Sequence, residues 1–250
     1  MDIQYIFLFL AGILGGVINA VAGGGSLVTF PVLVFSGLPL VVANATNTFS
    51  AFFSYLFGAY SLREHLFALK KQLWFFLVIS LVGGYIGAWL LLYFSSESFG
   101  IILPYLLLFA TVLFAFGSRL NAMISKVQHL RSLKAVGILF GLGVCIYGGY
   151  FNAGFGVLLM VYLVLFFKYN IATINAVKLY ISTLAAIIAI AKFGFEGIIA
   201  YKEGLIVGVG AGLGGYLGGV FSKKMSEQIV KNLVVAIGLA LSLYYFVNPS

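Results

Sequence analysis

Apolar runs of about twenty residues recur along the chain with almost no charge inside them. As a helix, a run of that length spans roughly 30 Å, the thickness of the hydrocarbon core of a bilayer. No water reaches that core to satisfy backbone N–H and C=O groups, so only helices or a closed barrel cross it. These runs are long and continuous, unlike the short alternating strands of a barrel, and they select helices. Composition bears this out: 8% of the 250 residues are charged and 63% are hydrophobic, against about 25% charged in a soluble domain. The expected fold class is an all-α membrane protein.

Apolar segments fall at about 3–22, 26–37, 39–60, 72–94 and 99–117, and a second set at about 135–151, 156–167, 171–190, 204–221 and 232–247. Segments 26–37 and 156–167 are too short to span, reaching roughly 18 Å. Each follows a glycine cluster, Gly23-Gly24-Gly25 or Gly154-Phe155-Gly156, so short broken or re-entrant helices are expected there. The two sets resemble copies. Gly83-Gly84-Tyr85-Ile86-Gly87 matches Gly214-Gly215-Tyr216-Leu217-Gly218 at an offset of 131 (83 to 214), which also takes Asn44-Ala45 onto Asn175-Ala176 and Gly23 onto Gly154. Residues 1–117 then form one transmembrane repeat, 118–134 a basic cytoplasmic linker and 135–250 the second repeat, together one transport domain.

Cytoplasmic loops carry the excess of Lys and Arg. If each repeat crosses an odd number of times, the second is inverted. The inner side then holds Arg63, Lys70, Lys71, Arg119, Lys126, Arg131, Lys134, Lys168, Lys223, Lys224 and Lys231, and the outer side only Lys192 and Lys202. Parallel repeats with four crossings each would move Lys168 and loop 222–231 outside and loop 191–203 inside, a weaker asymmetry. Two inverted-topology repeats of about five segments are therefore expected, in the cytoplasmic membrane with both termini outside. The count does not distinguish two full crossings from a re-entrant hairpin at the start of each repeat. Trp74 and Trp89, near opposite ends of one segment, suit interfacial anchoring.

Enzyme chemistry finds little footing. All six carboxylates and both histidines lie at a terminus or in connectors, and no nucleophile stands at motif spacing from a base. Cys145 is the single cysteine, which leaves no disulfide framework or cysteine metal site. No cofactor or metal is expected. The net charge of +8 follows from topology and does not call for nucleic acid. Gly210, Gly212 and Gly215 match a dinucleotide fingerprint only formally, lacking a preceding strand, and read as small residues for close helix packing.

A transporter reading has more to work with. Inverted repeats with interrupted helices hold substrate near the midplane, where half-helix N-termini present free N–H groups to an anion. The candidate ligands are Gly24, Gly25 and Ser26 at the first break, and Gly154 and Gly156 at the second. Lys178, about 12 Å into its segment, is an intramembrane charge and so a functional candidate. Its repeat-mate Asn47 lies in the polar run Asn44-Ala45-Thr46-Asn47-Thr48. Asn44, Thr46, Asn47, Asn175 and Lys178 supply donors and no fixed negative charge, which suits an anionic ligand. Asn19 and Asn152 either line the cavity or cap helices. The plainer alternatives are glycines that only allow close packing, and a lysine that snorkels to the interface.

These residues resemble the TauE/SafE sulfite-exporter family, also called TSUP transporters. The resemblance rests on Gly12-x-x-Gly15-Gly16, Ala22-Gly23-Gly24-Gly25-Ser26, Phe30-Pro31-x-Leu33, Gly37-Leu38-Pro39 and Ala43-x-Ala45-Thr46-Asn47. It continues into the degenerate second copy, Gly148-Gly149 to Gly156-Val157-Leu158-Leu159. It implies a transporter for a small sulfur-containing anion (sulfite, thiosulfate or an organosulfonate), working by alternating access around the candidate site. An anion channel and a non-transporting scaffold are the alternatives. The expected partners are that anion and the lipid bilayer, with homo-oligomerisation left open.

Overall fold

A computed structural model describes residues 3–124, 133–221 and 227–248. All its regular elements are helical: α1 Ile3–Val21, α2 Ser26–Phe35, α3 Leu40–Ser61, α4 Lys70–Tyr93, α5 Ser96–Ile124, α6 Lys134–Tyr150, α7 Phe155–Phe166, α8 Ile171–Phe195, α9 Tyr201–Phe221 and α10 Glu227–Val247. Two short 3-10 turns, Arg63–His65 and Phe67–Leu69, join α3 to α4. Among the described residues, five helices are long and apolar enough to cross a membrane. The exposed surface is apolar to match, with Phe7, Trp74, Trp89, Phe116 and Leu243 all outward-facing.

The helix boundaries follow the local sequence. Helix α2 ends at Gly37, whose φ of +95° is left-handed, and Pro39 starts the next helix. Asn170 caps α8, its Oδ1 accepting from Thr173 N at 2.8 Å. The basic linker expected at 118–134 is partly helix, because α5 continues to Ile124 and α6 begins at Lys134. Residues 125–132, with Lys126 and Arg131, lie outside the described residues, as do Lys223 and Lys224.

Contacts between the helices give their relative directions. A Cβ on Gly15 would lie 2.5 Å from the Thr29 methyl, and Gln4 Nε2 donates to Ser36 O at 3.3 Å. Partner numbers fall as residue numbers rise, so α2 folds back along α1. In the same way Gly137, Gly141 and Gly148 of α6 face Phe166, Tyr162 and Phe155 of α7. Both glycine breaks are therefore tips of antiparallel helix pairs.

Helix α1 runs parallel to α9. Gly210, Gly214 and Gly218 sit against the Phe9 and Ile13 carbonyls and Val17, and an added Cβ on the first two would come within 2.3 Å of those oxygens. Lipid is as apolar as leucine, so close van der Waals packing through small residues drives such contacts. Of Gly210, Gly212 and Gly215, to which the sequence assigned this role, Gly210 fills it on α1 and Gly215 on the Ser54 backbone of α3. Helix α4 packs likewise on α6 through Gly83, Gly84 and Gly87 against Cys145, Gly149 and Ile146. Helices α3 and α8 are antiparallel, with Tyr55 and Gly58 near Leu179 and with Ala51 and Ala186 in the same cluster. So are α5 and α10, where Thr111 meets Gly238 and Tyr105 meets Phe246. The 131-residue offset exchanges these contacts: α1 on α9 becomes α6 on α4, and α3 on α9 becomes α8 on α4.

Candidate functional site

The two hairpin tips touch. Gly23 has φ +83° and Gly154 φ +76°, left-handed values that permit the chain to reverse. A Cβ on Gly23 would lie 2.6 Å from Gly156 Cα, and one on Gly156 would lie 2.4 Å from Gly23 Cα. Backbone therefore meets backbone at the junction. Helix α5 closes one side, with the Phe114 ring on Gly24 and Ala110 on Gly154.

The first tip is pinned by Asn19. Its Oδ1 accepts from Gly25 N at 2.8 Å and its Nδ2 donates to Ser54 Oγ at 3.1 Å. Residue 19 thus caps the start of α2 across the turn. Asn152 in the second tip instead reaches α3: its Oδ1 accepts from Asn47 Nδ2 at 2.7 Å, and its Nδ2 donates to Thr48 Oγ1 at 3.1 Å. The Thr29 hydroxyl donates to Asn47 Oδ1. Asn47 therefore joins α2 of one hairpin to the tip of the other.

The polar runs of α3 and α8 each cap the first helix of the opposite half. Asn44 Nδ2 donates to Tyr150 O at 2.9 Å, at the C-terminus of α6. Lys178 Nζ donates to Ala20 O at 3.2 Å, at the C-terminus of α1, and to Asn175 Oδ1 at 3.1 Å. A helix C-terminus leaves carbonyls unpaired and carries partial negative charge, which explains how an ammonium rests there. Lys178 is 1% exposed and is the one charged side chain buried among the described residues; it does not snorkel.

Of the candidate residues, Gly24, Gly25, Ser26, Asn44, Asn47, Gly154, Gly156 and Lys178 are buried around the tips, while Asn175 is half-buried towards the start of α8. Thr46 lies apart from them. Its hydroxyl accepts from Ala200 N at 2.9 Å, tying α3 to the α8–α9 connector. Donors remain open at the junction, since among the described residues the N–H groups of Ser26 and Gly156 have no hydrogen-bond acceptor. Asn44 Oδ1 is buried without a partner, and Ser26 Oγ, also buried, faces the Tyr55 hydroxyl. Sequence reasoning missed Thr29 and Ser54, and gave Thr48 no role beyond its place in the polar run. Their small hydroxyls on apolar helices carry no signal apart from their partners.

The profile of the family described as Sulfite exporter TauE/SafE matches residues 8–245. A probable membrane transporter protein of a Sinorhizobium species is 29% identical over 251 residues, covering 98% of this chain and 93% of its own. One from Haemophilus influenzae is 28% identical, covering 82% and 79%, and one from Escherichia coli K12 is 26% identical, covering 81% and 75%. No solved structure matches the chain.

Proposed function

Because the chain belongs to the sulfite exporter TauE/SafE family of membrane transporters, we propose that it is a secondary transporter of a small sulfur-containing anion, bound where its hairpin tips meet. The observation that carries this reading is the buried Lys178 amino group at that junction, held by a carbonyl and an amide oxygen with no carboxylate partner among the described residues. Two inverted repeats in the cytoplasmic membrane, both termini outside, supply the frame. The antiparallel pairing of α3 with α8 and of α5 with α10 supports that inversion, since these are the pairs that the 131-residue offset relates.

In this scheme the arrangement of the tips, α3 and α8 is the occluded one, with Lys178, Asn44 and Asn47 engaged by protein oxygens. When the tips part, Lys178, Asn44 and Asn47 exchange their present partners for oxyanion oxygens. The open N–H groups of Ser26 and Gly156 add donors from two helix N-termini. Asn175, half-buried towards the predicted cytoplasmic end of α8, marks the route by which the anion leaves on that side. Rocking one half against the other around this point alternates access. Thr46 has no part in binding in this scheme.

Counterflow in proteoliposomes tests the carrier. Vesicles preloaded with unlabelled sulfite, thiosulfate or an organosulfonate should accumulate the labelled anion transiently above equilibrium. Flux without counterflow would make the protein a channel, and no flux of any of these anions would remove the transport reading.

A further inference from the structure

Along the membrane-facing side of α3 and α9 runs an apolar groove of about 820 Å³, lined by Phe53, Phe57, Gly208, Gly212, Leu213 and Tyr216. Gly208 and Gly212 form its floor, because the Phe53 and Phe57 rings lie where their side chains would extend. From Gly208 to Tyr216 it covers two turns of α9, about 12 Å, close to the roughly 15 Å depth of one leaflet. One end opens at Tyr60 and Tyr216, where α3 meets the α3–α4 connector. There the Arg63 guanidinium stacks on the Tyr60 ring, 4.3 Å from its centroid, and Arg63 Nη1 donates to Tyr60 O at 3.1 Å.

We propose that this groove binds an anionic phospholipid, with one acyl chain between Phe53, Phe57 and Leu213 and the phosphate on Arg63. A groove of this lining facing a bilayer is filled by hydrocarbon, and what selects the lipid is the cation at its mouth. The two contacts with Tyr60 fix the guanidinium while leaving most of its N–H donors free for the forked pairing that phosphate oxygens accept. Glu64 is the next residue, yet Arg63 makes no ion pair with it; among the described residues the ion pair is Lys192 with Glu196. Lys70 and Lys71, exposed at the start of α4, add positive charge at the same level. A bound lipid would bridge α3, which carries Asn44 and Asn47, to α9. The proposal requires a membrane setting and is independent of which anion is transported.

Native mass spectrometry of the delipidated full chain in detergent tests it, with phosphatidylglycerol and phosphatidylcholine of identical acyl chains as probes. Wild type should bind phosphatidylglycerol about five- to tenfold more tightly, because both lipids offer Arg63 a phosphate but phosphatidylcholine also brings a cationic choline beside Arg63, Lys70 and Lys71. Arg63→Gln should weaken both lipids, phosphatidylglycerol the more, and so reduce that preference. Leu213→Trp, which fills the groove from its exposed rim, should weaken both lipids, while Val112→Trp on the exposed face of α5 should weaken neither. Equal binding of the two lipids, affinities and a preference that Arg63→Gln leaves unchanged, or dimers in place of lipid adducts would overturn the proposal.

Discussion

Three glycine-to-alanine changes separate the contact between the hairpin tips from the cost of a left-handed backbone. Gly37 has φ +95° and no atom within 4 Å of an added Cβ, so Gly37→Ala meets only the conformational penalty, about 1–2 kcal/mol. At Gly156 the backbone is helical and the new methyl would sit 2.4 Å from Gly23 Cα. Backbone cannot rotate aside, and overpacking of this kind costs about 1–3 kcal/mol. Gly23→Ala incurs both, about 2–5 kcal/mol, since it combines φ +83° with a 2.6 Å approach to Gly156. For a chain of this length each kcal/mol lowers the unfolding midpoint by about 2–4 °C. Thermal unfolding of the purified protein should therefore place Gly23→Ala about 2–12 °C below Gly37→Ala. Equal shifts for Gly23→Ala and Gly37→Ala, or a neutral Gly156→Ala, would refute the tip contact.

Other substitutions probe the polar junction and the topology. Asn47→Ala strips Thr29 and Asn152 of a buried partner and should cost about 1–3 kcal/mol, read by the same unfolding assay, with slower anion uptake. Thr46→Val orphans the Ala200 N–H and should destabilise by a similar amount, yet leave the apparent affinity for the anion unchanged in uptake assays. In a Cys145→Ser background, cysteines at Ser36, Ser98 and Gly197 should react with an impermeant maleimide from outside intact cells. One at His65 should react only after permeabilisation.

Much of the architecture is legible in hydrophobicity and small residues. Nine of the ten segments end within five residues of their helices and α5 runs seven residues past its segment, since apolar length and Gly-Pro punctuation dictate where a helix can run in lipid. The α9 glycines read correctly as a packing surface, because a missing Cβ at helical spacing has the same consequence whichever helix lies opposite. The return of α2 along α1 is common to both sequence readings, but its register is not legible, because apolar residues do not encode which neighbours meet and Gln4 must find Ser36 in space. Nor are the roles of Lys178 and Thr46. The sequence marks Lys178 as a charge that needs a partner, but that partner is a backbone carbonyl 158 residues away. Thr46 sits in the same polar run as Asn44 and Asn47, yet on a helix face that reaches the α8–α9 connector, and only packing separates them.

The central claim is that Lys178 holds the transported anion at the junction of the hairpins. Equilibrium binding of radiolabelled sulfite or thiosulfate to purified wild type and Lys178→Met tests it most directly. The account predicts saturable binding in wild type and its loss in Lys178→Met, with the variant still folded by its unfolding midpoint. A folded Lys178→Met protein that binds the anion as wild type does would contradict it.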